Sequence, residues 1–327
     1  MKNNVISQKQ NMRNLKFREF SVLTVLGAII IVLSIATPTF STPLNLINVV
    51  RQTVEISIMA IGMTFVIVSA EIDLSVGSIF GATAMLAALL IKTGTEPTLA
   101  FFASISMGCG IGLLNGVLST KARMPAFIVT LGTMQLFRSV AYGISNGQSV
   151  SAFPESVLNS WVFKMGSSIG NIPVQVIIMA VMFAVAHIIM SKTKFGFDTY
   201  ATGGNKRAAQ LGGINTDRIK IITFVINGAL CAFAGMISIS YLKSVPTTAG
   251  GGREMDIIAA VILGGTALMG GKGTILGTLI GATIMSVIRN GMVLLAVPAF
   301  WQSGFIGVVI ILAVLLDTWI TRSSKGR

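Results

Sequence analysis

The feature that most limits what this chain can become is a succession of long apolar runs, each near the length of a bilayer, separated by short breaks of charge, proline or glycine. A hydrocarbon core of about 30 Å takes about 20 residues of apolar helix to cross. Within it every backbone N–H and C=O must be satisfied inside the segment, so runs of this kind read as helices. Runs near 20–36, 52–70, 74–91, 98–120, 125–144, 173–191, 219–242, 256–270, 274–295 and 301–320 predict an all-α polytopic membrane protein of about ten transmembrane helices. Composition agrees, because the chain is 53% apolar and 11% charged, against about 25% charged in a soluble domain. The run 256–270 is short and glycine-rich, and a re-entrant segment is its alternative reading.

The net charge of +13 first suggests an acidic partner, but in a membrane protein placement decides. With the basic tail (Lys2, Lys9, Arg13, Lys16, Arg18) on the cytoplasmic side, ten spans put both termini there. The same side then receives Lys121 and Arg123, the six basic residues from Lys192 to Lys220, Lys272, and Arg322, Lys325 and Arg327. Of 24 lysines and arginines only Arg51, Lys92, Arg138, Lys164, Lys243, Arg253 and Arg289 fall elsewhere, so the positive-inside bias holds. The domain plan that follows is a basic cytoplasmic tail at 1–19, one transmembrane domain at 20–320 and a cytoplasmic C-terminal tail at 321–327. The first run resembles a signal peptide, but the many spans after it favour an uncleaved anchor helix.

Little here supports chemistry on a substrate. The closest approach to a phosphate loop, Gly270-Gly271-Lys272-Gly273, has Thr266 where the first Gly is required and Gly273 where Ser or Thr would hold Mg²⁺. His187 is the only histidine, so no metal site is expected, and Cys109 and Cys231 sit in apolar runs with no support for a disulfide. No nucleophile–base pair stands out, and no enzymatic activity or cofactor is expected of the chain itself. Two loops exceed the others: an outer one near 145–172, with Trp161 as an interfacial anchor, and an inner one near 192–218.

Polar residues inside apolar surroundings are the remaining candidates. Glu71 and Asp73 lie between two spans. Either Asp73 and Ser75 cap the following helix while Gly77 allows close approach, or the carboxylates line a pathway or carry a proton; capping is the favoured reading. Asn115, Gln135, Asn227 and Gln302 either line a pathway or bridge helices. Gly108, Gly110, Gly112 and Gly116, and the Gly273, Gly277, Gly281 spacing, predict helix faces in close contact.

Three stretches carry a resemblance. They are Glu71-Ile72-Asp73-Leu74-Ser75-Val76-Gly77; the inner loop from Lys194 to Asn215 with its Gly203-Gly204-Asn205 and Ala208-Ala209-Gln210-Leu211-Gly212-Gly213 runs; and Gly264-Gly265-Thr266-Ala267-Leu268-Met269-Gly270-Gly271-Lys272-Gly273. In this order, and with spans matching from first to last, the chain resembles the permeases of bacterial ABC importers for ribose and related monosaccharides. Glu71 departs from that pattern, which has Gly there. The resemblance implies a multi-pass protein of the bacterial inner membrane that pairs with a second permease subunit, identical or paralogous, and imports a monosaccharide. An ATPase on the cytoplasmic face binds ATP and Mg²⁺, and an extracytoplasmic binding protein delivers the sugar. The inner loop would be the ATPase-coupling segment: Asn205 caps a short helix whose Ala208, Ala209 and Leu211 enter a groove on the ATPase, with Gly203, Gly204, Gly212, Gly213 and Ile214 shaping its ends. Ribose, another pentose, a hexose or a furanose-like signal all remain open as cargo. The rival reading is a proton-coupled secondary transporter using Glu71 and Asp73.

Overall fold

The computed structural model describes residues 22–170 and 172–325. The tail expected at 1–19, the start of the first run and the last two residues of the C-terminal tail lie outside them. The described residues fold into helices α1 (Val22–Ala36), α2 (Pro43–Val68), α3 (Val76–Lys92), α4 (Pro97–Thr120), α5 (Ala126–Ile144), α6 (Glu155–Leu158), α7 (Trp161–Lys164) and α8 (Val174–Lys192). After these come α9 (Lys194–Gly204), α10 (Lys206–Leu211), α11 (Thr216–Leu242), α12 (Arg253–Leu263), α13 (Ile275–Leu294) and α14 (Ala299–Lys325). Among the described residues six helices, α2, α4, α5, α8, α11 and α13, are long and apolar enough to cross a membrane, and α1, α3 and the Ala299–Leu312 part of α14 are shorter apolar helices.

Local chemistry sets most of the boundaries. Asn215 accepts from the Arg218 N–H at 3.0 Å to start α11, and Thr274 accepts from the Gly277 N–H at 2.9 Å to start α13. Pro43 and Pro97 open α2 and α4, where a missing N–H costs nothing. α2 begins nine residues ahead of the run read from hydropathy, because Arg51 bounds that run and Glu55 lies just inside it. Inside the fold both charges are engaged, Arg51 over the Tyr241 ring at 4.2 Å and Glu55 by Arg253 at 3.1 Å. α14 continues past the boundary drawn at 320.

α2 and α11 form the centre. α4 lies antiparallel against α11 through a glycine seam: a Cβ on Gly108 would lie 2.4 Å from the Gly228 oxygen, one on Gly112 2.2 Å from the Phe224 oxygen, and one on Gly116 2.8 Å from the Ile221 Cα. Gly110, grouped with these by sequence, faces open space. The second expected seam is also present, with a correction. Gly277 and Gly281 press α13 onto α12, where added Cβ atoms would meet the oxygens of Gly264 and Ala260 at 2.0 Å each; Gly273 lies before the helix, packed on Thr266.

The segment expected as a span at 256–270 is helical only as α12, eleven residues and about 16 Å long, half of a hydrocarbon core. Residues 243–252 reach it as an irregular loop held by the antiparallel pairing of β1 (Val150–Ser151) with β4 (Ser244–Val245). The loop near 145–172 also carries a small hairpin of β2 (Ser168–Ile169) and β3 (Ile172–Pro173). Trp161 there donates its indole N–H to Thr98 Oγ1 at 2.9 Å and stays half exposed.

Candidate functional site

Three arrangements gather the polar residues of the fold. The first lies at the end of the bundle where α2 and α4 finish and α11 and α13 begin. α9 and α10 meet there at Asn205, whose Oδ1 accepts from the Ala208 N–H at 3.0 Å, the cap expected from sequence. Six residues of α10 then stand at the surface with Lys206, Arg207, Ala208, Gln210 and Leu211 exposed. Leu211 is 85% exposed, whereas Ala209 is 6% exposed and turned inward. The expected outward face is corrected accordingly: Ala208 and Leu211 belong to it and Ala209 anchors the helix from below. Gly212 ends α10, Gly213 (φ +84°) makes the turn, and the Ile214 N–H closes it on the Ala209 oxygen at 3.0 Å.

The α9–α10 unit is joined to the core by backbone. A Cβ on Gly203 would lie 1.8 Å from the Val68 oxygen, so no other residue fits. The Gly271 N–H donates to that same oxygen at 2.9 Å, and Gly204 lies against Gly271. Tyr200 donates to the Gly273 oxygen at 2.7 Å; burial raises its phenol above the ordinary value, so the donor stays protonated at neutral pH.

Val68 leads into the second arrangement, the break between α2 and α3. Glu71 forms an ion pair with Lys220, the fifth residue of α11. Asp73 is fully buried; its Oδ1 accepts from the Ser75 N–H at 2.8 Å and the Ser75 hydroxyl at 2.5 Å, and its Oδ2 from Asn227 Nδ2 at 2.9 Å. Asn115 Nδ2 donates to Ser75 Oγ at 2.9 Å, and Thr133 donates to Asn115 Oδ1 at 2.8 Å. One network therefore ties the break to α4, α5 and α11. The capping expectation is corrected in detail: Ser75 occupies the N-cap position of α3 without a side-chain cap bond, and Asp73 accepts from Ser75 rather than from the helix.

The third arrangement was not anticipated. Three arginines that charge placement left over, Arg138, Arg253 and Arg289, meet at the start of α12. Arg138 donates to the oxygens of Ala249 and Gly250 at 3.2 and 3.3 Å. Arg253 bonds Glu55, and Arg289 pairs with buried Asp256 at 2.5 Å. Glu254 lies over the start of α3, where a Cβ on Gly77 would sit 2.6 Å from its Oε2. The signal was present in sequence, since ionisable residues in an apolar stretch are functional candidates by default, but the partners are far apart in the chain. Beside this loop α5 exposes Gln135, Ser139 and Tyr142 at helical spacing on one face. Of the sequence candidates, then, Asp73, Asn115 and Asn227 come together, Glu71 pairs separately at the same break, Gln135 is exposed, and Gln302 lies apart, donating to the Val297 oxygen at 2.9 Å.

Residues 45–314 match the family model of the branched-chain amino acid transport system, permease component. The chain is 43% identical to the ribose import permease protein RbsC of Escherichia coli K12 over 90% of its own length and 92% of that protein. It is 42% identical to RbsC of Bacillus subtilis, over 88% and 89%. The autoinducer 2 import system permease protein LsrC of Yersinia enterocolitica is 37% identical over 80% of this chain and 71% of the relative. A solved ABC transporter chain in an inward-facing conformation shares the fold with a TM-score of 0.51 at 14% identity, covering 92% of this chain and 98% of that one.

Proposed function

We propose, from the premise that this chain belongs to the ribose and monosaccharide type of ABC importer permease, that it is the translocation subunit for a ribose-like monosaccharide and is driven through α9 and α10 by a separate ATPase. The observation that carries the reading is the exposed, capped α10, fused through the Gly203–Val68 backbone contact to the break that bears the buried Asp73 network. A rigid lever outside and a polar hinge inside is what coupling to a soluble motor needs. ATP binding would close the ATPase pair, move both coupling units and favour an outward-open pathway; hydrolysis would return it.

In this reading ten crossings are counted, with residues 243–263 crossing as loop plus half-helix, because α11 ends at the far end of the bundle and α13 starts at the near one. Residues 20–320 form one permease domain, and both termini lie in the cytoplasm. Gln135, Ser139 and Tyr142 of α5, exposed among the apolar Leu131 and Leu136, face a second permease subunit across a shared aqueous path, since their polar groups are costly against lipid. The six charges at α12 balance, which suits a neutral polyol better than an ion. Asp73, Asn115 and Asn227 act as the hinge beneath the path rather than its lining. A binding protein on the outer face of the inner membrane would supply the sugar.

The proton-coupled alternative loses support from the geometry, since Glu71 is held by Lys220 and both Asp73 oxygens already accept hydrogen bonds. The test is uptake in proteoliposomes. With the cognate ATPase and binding protein, ATP should drive monosaccharide uptake, and Leu211→Asp should abolish uptake while leaving the permease folded. Uptake driven by a pH gradient in vesicles holding this chain alone would overturn the proposal.

A further inference from the structure

The run Gly264–Gly273 is prominent in sequence, yet coupling through α10 does not account for it. The segment is a rigid turn. The Ala267 N–H donates to the Lys272 oxygen at 3.0 Å and the Gly270 N–H to the Ala267 oxygen at 2.9 Å. Gly270 and Gly271 have φ of +81° and +72°. Three neighbours clamp the turn in place: the Val68 oxygen holds the Gly271 N–H at 2.9 Å, the Tyr200 hydroxyl holds the Gly273 oxygen at 2.7 Å, and Ala70 packs on Gly270. At its tip Met269 is 88% exposed. A rigid turn holding a large thioether side chain in the open has already met the ordering cost of an interface anchor, and methionine adapts to irregular pockets.

We propose that this turn is a second docking point for the ATPase subunit, with Met269 as its anchor. The inference rests on the reading of the chain as an ATPase-coupled permease. Continuity with the α10 surface argues for that occupant: a Cβ on Gly271 would lie 2.6 Å from the Gly204 Cα, so the turn and the coupling unit are one body. The exposed apolar residues Leu211 and Phe197 stand on the same unit, which also exposes Lys206, paired with Asp217, and Arg207, while Lys272 is exposed on the turn itself. The complementary surface is a shallow apolar pocket rimmed by carboxylates. A lipid interface fits less well, because the neighbouring surface of α10 exposes Lys206, Arg207 and Gln210. The consequence is mechanical. A push on Met269 reaches Val68 and Ala70 through the Gly271 and Gly270 backbone, so the ATPase acts on the α2–α3 break directly as well as through α10.

The experiment uses the full chain in lipid nanodiscs with the purified cognate ATPase, titrated by fluorescence. Met269→Asp should weaken ATPase binding about tenfold, the size expected for losing an interface anchor, and Met269→Leu should bind as the parent does. Thermal unfolding of both should match the parent, since the side chain is exposed. Met269→p-benzoylphenylalanine should photocrosslink to the ATPase. Labelling of lipid alone, or unchanged binding by Met269→Asp while Leu211→Asp binds weakly, would overturn the second docking point and leave α10 coupling standing. Unchanged binding by both aspartate variants would remove the coupling reading as well.

Discussion

The Glu71–Lys220 pair allows a quantitative test of how the break is held. Lys220 is 7% exposed and the Glu71 side chain 20%, so neither charge is free in water. Removing one partner of a buried pair costs about 3–5 kcal/mol, because the other charge is stranded. Glu71→Leu strands the more buried group and should cost about 3 kcal/mol, the lower end, since some solvent reaches the site. Lys220→Met leaves the more exposed carboxylate, which water still reaches, and should cost about 2 kcal/mol, the desolvation of one stranded group rather than of a fully buried pair. Removing both charges together strands nothing, and the Leu/Met double variant should cost about 2 kcal/mol, from imperfect repacking. The cycle therefore predicts a coupling energy of about 3 kcal/mol. Unfolding titrations of the purified permease in mixed micelles measure each corner of the cycle. Additive losses, with the double variant near 5 kcal/mol, would show that the two side chains do not depend on each other and would refute the reasoning.

Gly203→Ala, whose Cβ would lie 1.8 Å from the Val68 oxygen, should abolish folded protein or ATP-driven uptake, whereas Gly204→Ala, 3.9 Å from its nearest neighbour, should retain both; size-exclusion profiles and proteoliposome uptake report the difference. Asp73→Leu leaves the Ser75 N–H, the Ser75 hydroxyl and Asn227 Nδ2 without their acceptor, and should destabilise the protein by at least about 3 kcal/mol in the same micelle titration, while Asp73→Asn, which keeps a carbonyl oxygen, should lose less than half as much.

What could be read in sequence was what is local. Asn205 was legible as a cap because its bond spans three residues, and the bilayer-length runs were legible because a membrane imposes length and apolarity on each helix separately. The face of α10 was misassigned at Ala209, since a six-residue helix of Lys, Arg, Ala, Gln and Leu has no apolar stripe to orient it; the side that turns inward is set by the turn through Gly213 and Ile214 and by α11 beneath. The run 256–270 overshoots α12 because Ala267, Leu268 and Met269 of the following turn are apolar and no charge interrupts the sequence before Lys272. The charged cluster was missed for a different reason. Glu55 and Arg253 are 198 residues apart, so each reads alone as a blemish in an apolar run. Asp73, Asn115 and Asn227 were singled out as polar residues among apolar ones, yet their joint role needed the fold. The seam of Gly108, Gly112 and Gly116 brings α4 onto α11, and only at that backbone separation can Asn115 and Asn227 both reach the break. The glycines and the polar network are thus one device. Widening the seam would pull Asn115 and Asn227 apart and break the network without touching any of its hydrogen-bonding groups.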